Sequence, residues 1–129
     1  MKVKTLILSL IITINALYAK DVVSDIETAI KTGSSSALST YFADNISLKV
    51  LDKEDTYSKS QAELILKDFF AKHPIKSFAL SHESITKGDS QYALGILITT
   101  TGKYRIYYLL KKTGNKQQIQ QFRIETENE

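Results

Sequence analysis

The chain contains no cysteine, and only two of its 129 residues are histidine. Without cysteine there is no disulfide framework, thiolate nucleophile or cysteine-based metal site, so stability rests on packing alone. With His73 and His82 as the only imidazoles, a histidine-rich metal site is excluded as well, and neither a metal nor a cofactor is expected. An excess of one charge is also missing. The 17 basic residues face 14 acidic ones, and removing Lys2 and Lys4 with the first nineteen residues leaves 15 against 14, a net of +1. A nearly neutral domain without a long Lys/Arg run is a poor binder of phosphate backbones, so no nucleic-acid partner is expected. Internal repeats, low-complexity stretches and long Gly/Pro/Ser linkers are absent too, which leaves one domain with a modest core.

The N-terminal segment is the clearest signal present. Lys2 and Lys4 precede the apolar run from Leu6 to Ile14, and the segment closes on Ala16-Leu17-Tyr18-Ala19. This is the layout of a secretory signal peptide with cleavage after Ala19. It predicts an exported domain, residues 20–129, that is periplasmic or extracellular. The rival reading is an uncleaved anchor, favoured by the bulky Leu17 near the cut. Against it, a span needs about 20 predominantly apolar residues, and Asn15 interrupts this shorter run. After cleavage no stable membrane insertion is expected.

Helical periodicity comes first in the remainder. Val22, Val23, Ile26, Ala29 and Ile30 recur at helical spacing, with Ser24 and Glu27 as a capping box and Gly33 at the helix end. Ser34 to Ser36 suit the start of a short second helix carrying Ala37, Leu38, Tyr41 and Phe42 on one side. Asp44-Asn45 reads as a turn into a strand with Ile46, Leu48 and Val50 alternating. The stretch from Leu51 to Tyr57 reads as a polar crossing. Ser58 and Gln61 then cap a helix whose stripe is Ala62, Ile65, Leu66, Phe69 and Phe70, and His73-Pro74 ends it.

From Lys76 the period changes to two. Strands are predicted at 76–86, 91–101, 103–112 and 116–125, joined by short Gly-containing links such as Lys87-Gly88-Asp89-Ser90. Helices first and strands last predict an α+β fold, a curved antiparallel sheet of four main strands plus a short N-terminal strand, packed on three helices. Phe78, Leu80 and His82 are assigned to the inner face, with Leu94, Ile96 and Ile98, then Tyr104, Ile106, Tyr108 and Leu110. The last strand loses phase between Ile119 and Phe122, which predicts a bulge near Gln120-Gln121. Ala93, Gly95, Leu97, Thr99, Arg105, Tyr107 and Leu109 fall on the outer face, which is apolar enough to suggest a partner surface and a homodimer.

The order of elements resembles the nuclear-transport-factor-2-like, or cystatin-like, cone. The stretch from Leu51 to Lys59, the stretch from Ile65 to Pro74, and the closing Phe122-Arg123-Ile124-Glu125 resemble more narrowly a family of small exported bacterial proteins. That family is known only as a domain of unknown function, numbered 4783, so the resemblance implies fold and address rather than activity. The superfamily includes isomerase- and dehydratase-type enzymes that need an Asp or His base in an apolar pocket beside a hydroxyl donor. Here that reading falls on His82 with Tyr104 or Tyr108, and Tyr41 or Tyr57 could reach the rim.

The simpler reading is a histidine near a strand end and aromatics that fill the cone. The expected function is therefore a non-enzymatic binding or accessory domain. Its partner is a small apolar ligand, held by Phe69, Phe70, Tyr104 and Tyr108, or an envelope protein. Asp52, Glu54 and Asp55 lack calcium-loop spacing and read as a solvated turn. Lys103, Arg105, Lys111, Lys112 and Arg123 could hold an anion, although charges at strand edges more commonly discourage aggregation.

Overall fold

The computed structural model describes residues 22–85 and 90–128. The signal segment and most of the predicted link at 87–90 lie outside the described residues. Among the described residues, two helices, α1 (Val22–Lys31) and α3 (Lys59–Lys72), pack on a single six-stranded sheet, and the short α2 (Ser35–Ser39) packs on both of them. The strands are β1 (Phe42–Val50), β2 (Lys53–Ser58), β3 (Ile75–Ile85), β4 (Ser90–Thr99), β5 (Gly102–Thr113) and β6 (Lys116–Thr126). Their order across the sheet is β2-β1-β6-β5-β4-β3. The architecture is thus mixed α+β, as the sequence predicts, with six strands in place of the expected four plus one.

The difference lies in the first half of the sheet. Phe42 leaves the short helix and begins β1, and Asp44-Asn45 continue the strand where a turn was expected. The polar crossing is a real edge strand. β2 pairs antiparallel with β1 from Asn45↔Ser58 to Val50↔Lys53, around the two-residue turn Leu51-Asp52. Its side chains are polar and mostly exposed, so there is no apolar alternation to reveal it. β1 also runs parallel to β6, which joins the N-terminal part of the sheet to its last strand.

Local signals explain most helix ends. Gly33 adopts φ 64°, its amide donates to Ile30 and the Ser34 amide donates to Ala29, a complete Schellman closure of α1. Ser24 lies inside α1, where its carbonyl accepts from the Thr28 hydroxyl, so it does not cap that helix. Ser34 caps α2 by accepting from the Ala37 amide. Ser58 and Gln61 form the expected reciprocal capping box of α3. Ala62, Leu66, Phe69 and Phe70 of that helix are buried, and His73 followed by Pro74 stops it.

The inner face of the sheet carries Ile46 and Leu48 of β1, Phe78 of β3, and Ile119, Phe122 and Ile124 of β6. From β5 it takes Tyr104, Ile106, Tyr108 and Leu110, all buried. The expected bulge is present: Leu109 pairs with Gln121 and Leu110 with Ile119, leaving Gln120 as the extra residue.

β4 runs in the opposite phase to that expected. Ala93, Gly95, Leu97 and Thr99 point inward and are buried, while Leu94, Ile96 and Ile98 are half-buried on the outer face. The cause is volume. A Cβ on Gly95 would stand 2.5 Å from the Phe78 ring and 2.8 Å from the Ala79 carbonyl oxygen, so that ring occupies the space a side chain would need.

Candidate functional site

The structure separates His82 from the aromatics with which sequence reasoning grouped it. Phe69, Phe70, Tyr104 and Tyr108 are buried in the core. Phe69 meets Phe70 and Tyr104 edge-on, with ring centroids 5.9 and 5.4 Å apart, and Tyr108 stacks on Phe122 at 6.2 Å. Phe69, Phe70 and Tyr104 thus pack on one another, and Tyr108 packs on Phe122. His82 is exposed, contrary to its assignment to the inner face. The β3–β4 register shifts between Leu80 and His82, so Ser81 bulges and the alternation begun by Phe78 and Leu80 breaks before the histidine. The rim tyrosines also differ: Tyr57 packs partly against the core, and the Tyr41 hydroxyl donates to Asp25 at 3.4 Å. Burial and the Asp25 carboxylate together push the Tyr41 phenol up from its ordinary value.

Tyr104 does meet a histidine, but it is His73. Pro74 stops α3 at His73, and the tight turn between β4 and β5 brings Thr101 and Tyr104 against the same imidazole. His73 Nδ1 lies 2.6 Å from the Thr101 hydroxyl and 3.2 Å from the Tyr104 hydroxyl, and the two hydroxyls are 3.1 Å apart. Thr99 extends the chain. Its hydroxyl oxygen is 3.0 Å from that of Thr101, it accepts from the Thr101 amide, and it donates to the Gly102 carbonyl. Phe69 lies over the imidazole, with ring centroids 4.4 Å apart. The sequence carries no sign of this cluster. His73 reads there only as the residue before Pro74 that ends the helix, and its partners are 28 and 31 residues away.

A hollow of about 260 Å³ opens beside this histidine. Val50, Leu51, Ile65 and Phe69 give it apolar walls, and Asp52, Lys53, Asp68 and Lys72 add charge around them. Leu51 has φ 55°, the only positive φ of a non-glycine among the described residues, with its amide donating to the Ile124 carbonyl.

A second hollow, of about 390 Å³, lies on the outer face between Leu94, Arg105, Tyr107, Gln121, Arg123 and Glu125. Charges here are paired, both within β6 and between it and β1. One Glu125 oxygen accepts from Arg123 at 2.9 and 3.3 Å and from Lys49 at 3.1 Å. Arg123, then Lys49, hold the Glu125 carboxyl below its ordinary value. Arg105 donates to Glu127 at 2.8 Å, which raises the guanidinium further. The proposed anion site therefore finds two of its cations, Arg105 and Arg123, already bound to carboxylates.

Among the described residues, no group of three or more His, Asp or Glu could hold a metal ion, and no helix is long and apolar enough to cross a membrane.

No curated protein matches the chain. Solved structures do. A DUF4783 family protein from Bacteroides ovatus ATCC 8483 is 33% identical with a TM-score of 0.77, over 82% of this chain and 96% of that one. A cystatin-like domain of unknown function from Nostoc punctiforme matches at 9% identity and a TM-score of 0.66, over 82% and 73% of the two chains. A proposed dehydratase of the NTF2-like family from Streptomyces avermitilis matches at 13% identity and a TM-score of 0.60, over 82% and 92%. The last two share the fold alone. The model of the domain of unknown function DUF4783 matches residues 23–125, from the first turn of α1 into the last strand, and the chain belongs to that family.

Proposed function

We infer that this is a non-enzymatic binding or accessory domain, exported from the cell, that works through the outer face of its sheet. One observation carries the reading: Phe69, Phe70, Tyr104 and Tyr108, the residues that would line an apolar cone, are buried against neighbouring rings. The outer face is available, with Leu94, Ile96 and Ile98 half-buried beside the arginine–glutamate pairs. That face carries both signs of charge in paired form, so it is complementary to itself, and the occupant favoured here is a second copy of this chain.

Sedimentation tests this directly. The wild-type chain is expected to dimerise at micromolar concentration and Ile96→Glu to sediment as a monomer with unchanged far-UV circular dichroism. A wild-type monomer at all concentrations, or an Ile96→Glu dimer, would reject the interface. The exported form is expected to begin at Lys20, which its intact mass would report.

The alternative is a small enzyme of isomerase or dehydratase type. Its supporting observation is the Tyr104 hydroxyl 3.2 Å from an imidazole, with His73 in the role first given to His82. Such an enzyme would exchange the α-protons of a small ketone with deuterated solvent, and Tyr104→Phe would abolish the exchange. Exchange at the buffer rate is the outcome expected here.

A further inference from the structure

We propose that the hollow beside His73 is a binding site for a small neutral molecule with an apolar body and one hydroxyl group. It is distinct from the outer face and does not depend on that interface.

The polar anchor is a single atom. His73 Nδ1 is engaged by Thr101 and Tyr104, and the Phe69 ring lies over the imidazole. No described residue bonds Nε2, the remaining ring nitrogen. Because Nδ1 is engaged by two hydroxyls, the ring cannot turn freely, and His73 lines the hollow with Nε2 as its remaining polar atom. A hydroxyl can both give and accept a hydrogen bond, so it can pair with Nε2 in either imidazole tautomer. A carbonyl, which only accepts, or an ammonium, which only donates, would suit only one of them.

Charge selects a neutral ligand. Asp68 and Lys72 neutralise one another at 3.0 Å, and Asp52 and Lys53 add one charge of each sign without an ion-pair partner among the described residues. The rim is therefore neutral in sum. Two lysines and two aspartates line the hollow, so an ion of either sign meets as many like charges as opposite ones.

Leu51, the first residue of the two-residue turn between β1 and β2, takes the positive φ that such hairpin turns require, and its side chain packs against the core at the edge of the hollow. The volume of about 260 Å³ lies below that of ordinary drug-sized sites, about 300–1,000 Å³, and limits the occupant to roughly one ring.

The test is a nuclear magnetic resonance titration of the full chain with four probes: 4-methylphenol, toluene, benzoate and benzylammonium. 4-Methylphenol is expected to give saturable shifts at the amides of residues 50–53 and 65–73 and at the His73 ring protons. Benzoate and benzylammonium should bind at least about fivefold more weakly. His73→Phe keeps a ring against Phe69 but removes Nε2. It should weaken 4-methylphenol about 3- to 10-fold, the range of one neutral hydrogen bond, and leave toluene unchanged. Shifts centred on Leu94, Tyr107 and Arg123 would overturn the site, as would either ion binding as tightly as the phenol. Absence of saturable shifts with all four probes would also overturn it. Should His73→Phe fail to fold, the wild-type His73 ring shifts decide the matter alone, since unmoved ring protons at saturation exclude the anchor.

Discussion

The two faces of the sheet are built from the same strands but obey different rules. On the inner face nearly every position is apolar and closed, down to the glycine at 95 that makes room for the Phe78 ring. On the outer face aliphatic residues alternate with arginine–glutamate pairs, and most side chains are half-buried. A packed interior responds to changes of a single methyl group. A half-exposed face tolerates substitution and keeps its specificity for whatever settles on it. The inner side carries the stability of the molecule, and the outer side carries the self-association proposed above.

Three measurements would sharpen or break that division. The largest effect is expected from Phe69→Ala, which removes an aromatic residue packed against Phe70, Tyr104 and His73. It should cost about 3–5 kcal/mol in chemical denaturation, and a loss below about 1 kcal/mol would contradict a closed interior. Gly95→Ala should cost about 1–3 kcal/mol through overpacking, because the Phe78 ring and the Ala79 carbonyl already stand within 3 Å of the added carbon. Phe78→Leu in the same chain should recover part of the loss, and a neutral Gly95→Ala would show that the ring moves freely.

The smallest effect belongs to the outer face. Glu125→Gln should change stability by at most about 1 kcal/mol at neutral pH, as expected for a pair near the surface. Its sign follows from the lowered carboxyl. The ionised form is favoured by folding, so the stabilisation is fully present above the unfolded value near 4.5 and is lost as pH falls through the lower folded value. Wild type and Glu125→Gln should therefore converge in acid. A gap that persists below that range would mean Glu125 acts through packing.

Much of the fold is legible in the residues. The capping box at Ser58 and Gln61, the Phe69-Phe70 stripe and the change of period after Pro74 each correspond to an observed element. The misreadings share a physical origin. β4 has plausible apolar residues on both sides, and only the position of the Phe78 ring, in the neighbouring strand, decides that Gly95 faces inward. β2 is an edge strand whose polar residues carry no alternation, and its existence depends on pairing with β1. His82 leaves the inner face because of a bulge one residue earlier, which one strand's pattern does not reveal. The site was least legible of all. Tyr104 was expected beside a histidine, but its partner is set by where α3 stops and where the β4–β5 turn folds back, a junction of distant segments.

The parallel pairing of β1 with β6 has a consequence for the order in which this molecule can be completed. Lys49 and Glu125, joined across those two strands, are 76 residues apart. A ribosome or a translocation channel delivers the chain from its N-terminus, so β1 and β2 emerge long before the strand they must lean on. Closing so long a loop is entropically costly and slows folding. Until β6 arrives, the apolar side of β1 has only the helices to cover it. The pairing that joins the two halves of the sheet can therefore form only once the last strand has been made.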